Sequence, residues 1–274
     1  MHPILFTIGD FHIRVWGIMV GLGIIAGYLL VVRLAKGSRF TEEILTEYLL
    51  YGTIAGFVGA RVWEIVFTWQ NYAAEPIRAL MFWQGGLSIQ GAVVANVLLA
   101  WWYMRRKKLS FRQFADLGAI GLILGQAFGR IGCFFNGDAY GMPTDAWYGV
   151  IYQPGTPAYN AWGPKPLVPA ELFEAILDFG ILAILLLIFR RKKFDGQVAL
   201  WYFILYSTAR FFLEFLRADS LMIGELKAAQ VTAALMAAIA GGGLLWMMNR
   251  PAPLMAVPSS KQRASKKRRL APIK

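Results

Sequence analysis

Seven stretches of about 20 mostly apolar residues, the length an α-helix needs to cross a bilayer, divide this 274-residue chain almost from end to end. They run approximately over Val15–Val32, Tyr48–Thr68, Leu87–Met104, Phe114–Phe134, Val168–Phe189, Gln197–Leu216 and Ala228–Met248. Lipid offers no partner to open backbone polar groups, so such stretches must be helical. The chain is 57% hydrophobic and 16% charged, where a soluble domain carries roughly a quarter charged residues. The expected fold is an all-α polytopic membrane protein. The start, MHPILFTIGDFHIR, has no basic run before its apolar segment, so the first span is expected to remain as an anchor.

The basic residues orient the spans. Arg33, Lys36 and Arg39 fall in one loop; Arg105, Arg106, Lys107, Lys108 and Arg112 in another; Arg190, Arg191, Lys192 and Lys193 in a third. The tail adds Arg250, Lys261, Arg263, Lys266, Lys267, Arg268, Arg269 and Lys274, which brings the total to 20 of the 28 Lys and Arg. The intervening loops hold few: Arg78, then Lys165, then Arg217 and Lys227. The positive-inside rule places the rich set in the cytoplasm, the N-terminus outside and the C-terminus inside. Residues 1–249 then form one membrane domain, and 250–274 a disordered basic cytoplasmic tail drawn to anionic lipid. The net charge of +12 sits at membrane borders, so nucleic acid is not an expected partner. Two outer loops, 69–86 with Trp69, Tyr72, Phe82 and Trp83, and 135–167, are long enough to form an interfacial segment and a small external cap.

Ionisable groups inside a bilayer cost about 2.5–3.5 kcal/mol each on insertion scales, so they need partners or a purpose. Arg61 and Glu64 stand at i,i+3 in the second span, where they can pair. Arg130 lies at the end of the fourth. Glu171, Glu174 and Asp178 share a face of the fifth, and Arg210 and Glu214 stand at i,i+4 in the sixth, with Arg217 two turns on from Arg210. Guanidiniums converging from two helices match phosphate oxygens bidentately, and the anion at that depth is a phospholipid headgroup. Around Arg130 the run GQAFGRIGCFFNGDAYG holds five glycines, which permit turns and close backbone approach. Glycines four residues apart, such as Gly23/Gly27 and Gly121/Gly125, suit close helix packing. The lone Cys133 excludes an internal disulfide and reads as a small buried hydrophobe. His2 and His12 have no carboxylate at ligand spacing, so no metal site is expected.

The run GRIGCFFNGDAYG resembles the signature of bacterial prolipoprotein diacylglyceryl transferases, Gly-Arg-x-Gly-Asn/Cys-Phe-x-Asn-Gly-Glu/Asp, through Gly129, Arg130, Gly132, Cys133, Phe134, Asn136, Gly137 and Asp138. RVWGIMVGLGIIAGY, GARVWEIVF, WQGGLSIQGAV, VPAELFEAILD and ARFFLEFLRAD follow the family in order. The resemblance implies seven spans with the N-terminus outside, in the bacterial cytoplasmic membrane. It implies transfer of the sn-1,2-diacylglyceryl group from phosphatidylglycerol to the lipobox cysteine of a preprolipoprotein signal peptide. Glycerol phosphate is released and no cofactor or metal is used. By motif position Arg130 and Arg210 are the catalytic arginines. Asn136, Gly137, Asp138, Gly141, Gln90, Trp16, Glu214, Arg217 and Arg61 are expected to contact substrate, in a protein working as a monomer among membrane lipids.

This chain carries Gln90 where the family usually has His, Trp16 where it has Tyr, and Val168 where it often has His. Glutamine accepts no proton at neutral pH. One account is that a substrate thiol of pKa about 8.5 needs little help from a base. The other is that the arginine clamp serves a different acceptor, or binds lipid without catalysis.

Overall fold

The computed structural model describes residues 3–8, 11–73, 75–81 and 86–249. The expected tail at 250–274, and Phe82, Trp83 and His2, lie outside the described residues. Helices dominate. A hairpin of β1 (Ile4–Ile8) and β2 (Phe11–Arg14) leads into α1 (Val15–Ala35). Then come α2 (Glu42–Phe67), α3 (Ile89–Arg106), α4 (Phe111–Asn136), the short α5 (Pro157–Trp162), α6 (Ala170–Arg191) and α7 (Gln197–Leu213). A second hairpin, β3 (Met222–Ile223) and β4 (Leu226–Lys227), precedes α8 (Ala228–Asn249). The two hairpins carry no alternation long enough to stand out in the sequence.

Six of the described helices are long and apolar enough to cross a membrane: α1, α2, α4, α6, α8, and α7 with its extension to Leu216. This is a multi-pass membrane protein. Apolar side chains face outward along these helices, among them Ile25, Phe57 and Ile239, as a lipid-facing surface requires. The third expected span forms a helix too, α3, but it is not among the six. Its 18 residues include Gln90 and Asn96, and its last turn carries Arg105 and Arg106. Those polar positions dilute its hydropathy.

The chain divides into two compact units, Ala35–Phe114 on one hand and Met1–Leu34 with Ala115–Lys274 on the other. In the first, α2 starts on Thr41, whose hydroxyl accepts from Ile44 N, followed by Glu42 and Glu43 at the positive helix end. Side by side on α2, Gly52 and Gly56 leave a slot for the Asn96 side chain of α3. Farther along, Glu47 takes the Tyr103 hydroxyl at 2.6 Å and Lys107 at 2.7 Å.

In the second unit α1 crosses α4 backbone to backbone. A Cβ on Gly27 would come within 2.8 Å of the Gly121 carbonyl oxygen, so no larger residue fits there without parting the helices. The main core lies where α4, α6 and α7 meet, on Ile120, Ile123, Ile181, Leu185, Val198 and Tyr202. Asp116 of α4 is fully buried and does the work of a helix cap for α7. Its carboxylate accepts the backbone N–H groups of Gly196, Val198 and Ala199 at 2.9–3.0 Å and pairs with Lys192 at 2.9 Å. Those N–H groups are orphans of the α7 N-terminus, and Gly196 supplies no side chain of its own. The segment 137–169 has a separate small core of Tyr152, Ala158 and Leu167 against Phe134, Tyr140, Val150 and Trp162.

Candidate functional site

The site grows from the ends of three helices. Near the C-terminal end of α4, Arg130 reaches α6 and places Nη2 2.9 Å from Glu174 Oε1. Toward the end of α7, Arg210 places Nη1 3.5 Å from Glu174 Oε2 and Nη2 2.8 Å from Glu214 Oε2. Past the single 3-10 turn Glu214–Leu216, Arg217 adds Nη1 at 3.8 Å from Glu174 Oε2. Arg217 turns its other edge on Asp219, with Nη2 2.7 Å from Oδ2 and Nε 3.0 Å from Oδ1. Three guanidiniums from three positions therefore meet on the two oxygens of one carboxylate. Glu174 and Glu214 are buried, while the Arg130 and Arg210 side chains stay 23% and 18% exposed. The cations thus keep an open edge that the carboxylates lack. Tyr206 adds its hydroxyl 3.5 Å from Glu174 Oε1.

The run after α4 meets the cluster at Gly141, which forms a rim beside Arg217. Gly137 closes the helix in the left-handed region at φ +69°, and its N–H donates to Cys133 O at 2.8 Å. That is the usual C-terminal glycine stop. Asn136 Nδ2 donates to Asp138 Oδ2 at 3.1 Å, while Asp138 Oδ1 is buried without a partner. Gly141 then runs between two backbones: its N–H donates to Val168 O at 2.9 Å, and it bridges to Arg217. A Cβ there would stand 2.6 Å from Val168 O and 2.8 Å from Leu216 O. The glycine is thus required by crowding.

Behind this rim Tyr152 donates its hydroxyl to both oxygens of Glu171, each at 2.9 Å, one turn ahead of Glu174 on α6. Burial, and then the adjacent Glu171 carboxylate, hold the Tyr152 phenol well above its ordinary range. It stays a donor at any physiological pH.

Trp16, in the first turn of α1, packs on Gly132, where a Cβ would lie 3.1 Å from Trp16 Cα. Arg130, Arg210, Arg217 and Glu214 thus share one cluster, Gly141 reaches it by its bridge to Arg217, Asn136, Gly137 and Asp138 form the turn that ends α4, and Trp16 stands by Gly132 of α4. Arg61 and Gln90 belong to the other unit. Arg61 grips backbone: Nε donates to Ala79 O at 2.9 Å, Nη1 to Gly86 O at 2.9 Å and Nη2 to Arg78 O at 2.6 Å, with the guanidinium over the Tyr72 ring. That is a strut for the segment after α2. Gln90 Oε1 accepts the Ser88 hydroxyl at 2.6 Å.

Glu174 is the residue that the sequence reading undervalued. Its spacing to Glu171 and Asp178 shows a shared face, yet nothing in that spacing reveals that arginines from α4 and α7 converge on it. Among the described residues, no group of three or more His, Cys, Asp or Glu could hold a metal ion.

The prolipoprotein diacylglyceryl transferase family model matches residues 3–247. Proteins named phosphatidylglycerol--prolipoprotein diacylglyceryl transferase are similar along nearly the whole length. That of Gloeobacter violaceus is 38% identical over 256 residues, covering 90% of this chain and 93% of its own. That of Thermotoga maritima is 37% identical over 257 residues, covering 92% and 87%. That of Clostridioides difficile is 36% identical over 231 residues, covering 84% and 89%. Arginines gathered at helix ends and the match from residue 3 to 247 lead to one statement: this chain belongs to the prolipoprotein diacylglyceryl transferase family.

Proposed function

We propose that this protein transfers the diacylglyceryl group of phosphatidylglycerol to the lipobox cysteine thiol of a preprolipoprotein. The observation that carries the reading is the meeting of Arg130 and Arg210 on Glu174. A carboxylate and a phosphodiester present similar pairs of oxygens to a guanidinium. A cluster assembled on one is preorganised for the other. The substrate sulfur attacks C3 of the diacylglycerol moiety. The S–C bond forms, the C–O bond to phosphate breaks, and glycerol phosphate leaves. Negative charge grows on the phosphate as it leaves, so Arg130 and Arg210 stabilise the transition state more than the ground state. Arg217 and Glu214 hold the cluster's other edge. Asn136, Asp138, Gly137 and Gly141 form the headgroup rim, where the unpartnered Asp138 Oδ1 is suited to accept a glycerol hydroxyl.

The reaction does not require a histidine. The thiol proton ends on a phosphate oxygen, so atoms and charge balance without a protein base. A thiol near pKa 8.5 is already a few per cent thiolate at pH 7. Gln90 then contacts substrate without taking its proton, Arg61 serves it indirectly by holding the segment that leads into α3, and Trp16 contacts substrate from α1. The chain lies in the bacterial inner membrane with seven spans, α3 included, the N-terminus and the 135–167 cap outside, the tail inside. It acts as a monomer.

The test is purified protein in nanodiscs, supplied with phosphatidylglycerol and a lipobox peptide. Release of glycerol phosphate together with the thioether-linked peptide is expected. Phosphatidylglycerol binding without release, beside an active family member, would instead favour a non-catalytic lipid-binding protein. Complementation of transferase-depleted cells by Gln90→His but not by the natural sequence would favour a different acceptor.

A further inference from the structure

Lys227 ends β4 and immediately precedes α8, where a positive charge meets the positive end of a helix. Its ammonium turns back instead onto the stretch that follows α7. Nζ donates to Glu214 O at 2.5 Å and to Arg217 O at 3.2 Å. Those two carbonyls bracket the 3-10 turn Glu214–Leu216. The turn is tied to its surroundings through Glu214 N–H on Arg210 O and the Arg217 bridge to Gly141, but its own closing hydrogen bond is weak. Arg217 N donates to Glu214 O at a long 3.3 Å, and Leu216 O is taken by Met142 N at 2.9 Å. Hydrogen bonds within 3-10 turns are poorly aligned, whereas a bond from an ammonium is charge-assisted.

The side chains at the two clamped positions are the ones that face the arginine cluster. Glu214 pairs with Arg210 at 2.8 Å, and Arg217 approaches Glu174 at 3.8 Å. Arg217 sits farthest from Glu174 of the three arginines and is also drawn toward Asp219. Its approach to an anion therefore depends on where its backbone is held.

We infer that Lys227 is a positioning residue for the anion site: by clamping the backbone of Glu214 and Arg217 it sets how tightly the cluster grips a phosphodiester headgroup. The identity of that headgroup as phosphatidylglycerol rests on the transferase reading. The effect runs through Arg217 and falls on lipid capture, while Arg130 and Arg210 keep their contacts to Glu174 and the chemical step continues.

The experiment uses the full chain in nanodiscs of zwitterionic lipid titrated with phosphatidylglycerol, with lipid binding and turnover both measured. Lys227→Met keeps the length of the side chain and removes its donors. The Michaelis constant for phosphatidylglycerol should rise about tenfold, the scale of one hydrogen bond from a charged group. The value of kcat should stay within about twofold, and the constant for the peptide should not move. Lys227→Arg, which restores donors to the two carbonyls, should recover most of the loss. The double variant Arg217→Met/Lys227→Met should bind lipid no more weakly than Arg217→Met alone, because coupled residues are not additive. An unchanged lipid constant, a fall in kcat alone, or additive losses would overturn the inference. If Lys227→Met does not accumulate folded, Lys227→Ala carries the same expectations. If the wild type binds phosphatidylglycerol but turns nothing over, the transferase reading fails. The binding titration then decides Lys227 alone, and wild-type affinity in the variant overturns it.

Discussion

Glu174→Gln removes one charge from the centre of the arginine cluster and changes almost nothing in shape. Glu174 Oε1 serves Arg130 at 2.9 Å, and Oε2 serves Arg210 at 3.5 Å and Arg217 at 3.8 Å. A glutamine amide keeps one acceptor oxygen and turns an NH2 toward the remaining guanidiniums. At least one arginine loses its contact to residue 174, and the three cations are left with only Glu214 and Asp219 as paired carboxylates. Breaking a buried ion pair by removing one partner costs about 3–5 kcal/mol. The variant should therefore unfold at a markedly lower temperature in detergent. Turnover should fall by at least about a hundredfold, since misplaced cations no longer match the leaving phosphate. Added phosphatidylglycerol should raise the melting temperature of Glu174→Gln more than that of the wild type, because the lipid phosphate returns the missing anion. The assay is thermal unfolding with and without lipid, beside glycerol phosphate release. A variant with wild-type stability and turnover would refute the reasoning. So would one that lipid stabilises no more than it does the wild type.

Four further outcomes are expected. Gly141→Ala should abolish activity and lower stability, because its Cβ would stand 2.6 Å from Val168 O; activity within about twofold of wild type would show that the rim yields. Tyr152→Phe should cost about 1–3 kcal/mol in thermal unfolding, since Glu171 is left buried without the hydroxyl that donates to both its oxygens. Asp116→Ala should cost at least about 3 kcal/mol, because it leaves Lys192 only Asp195 at 3.1 Å and strips the acceptor from three N–H groups at the α7 N-terminus; unchanged melting would remove its capping role. Cys133→Ala should leave turnover within about twofold of wild type, because a packing residue carries no chemistry; an inactive but folded variant would make the thiol part of the reaction.

The helices were legible because length and hydropathy are local properties. The expected span Gln197–Leu216 coincides with α7 and its 3-10 extension, and Ala228–Met248 with α8 to within one residue. Arg130 and Arg210 stood out as charges in apolar frames, and the guanidiniums do share a centre. What the sequence concealed were partners distant along the chain. Asp116 lies in an ordinary helical run, yet it caps a helix 80 residues later. Arg61 sits three residues before Glu64, which suggests a pair on one turn, and its guanidinium instead spans carbonyls 17 to 25 residues on. Backbone acceptors leave no mark in residue identity. The second hairpin left no mark because Met222–Ile223 and Leu226–Lys227 are too short for a period to register.

The central claim is that Arg130 and Arg210 act together on the phosphate of the lipid. Single-turnover release of glycerol phosphate from phosphatidylglycerol, with a lipobox peptide in excess, measures it most directly. Arg130→Ala and Arg210→Ala should each abolish release, and the double variant should be no slower than either, as residues that act as a unit behave. Release at an undiminished rate from either single variant in folded form would contradict the account.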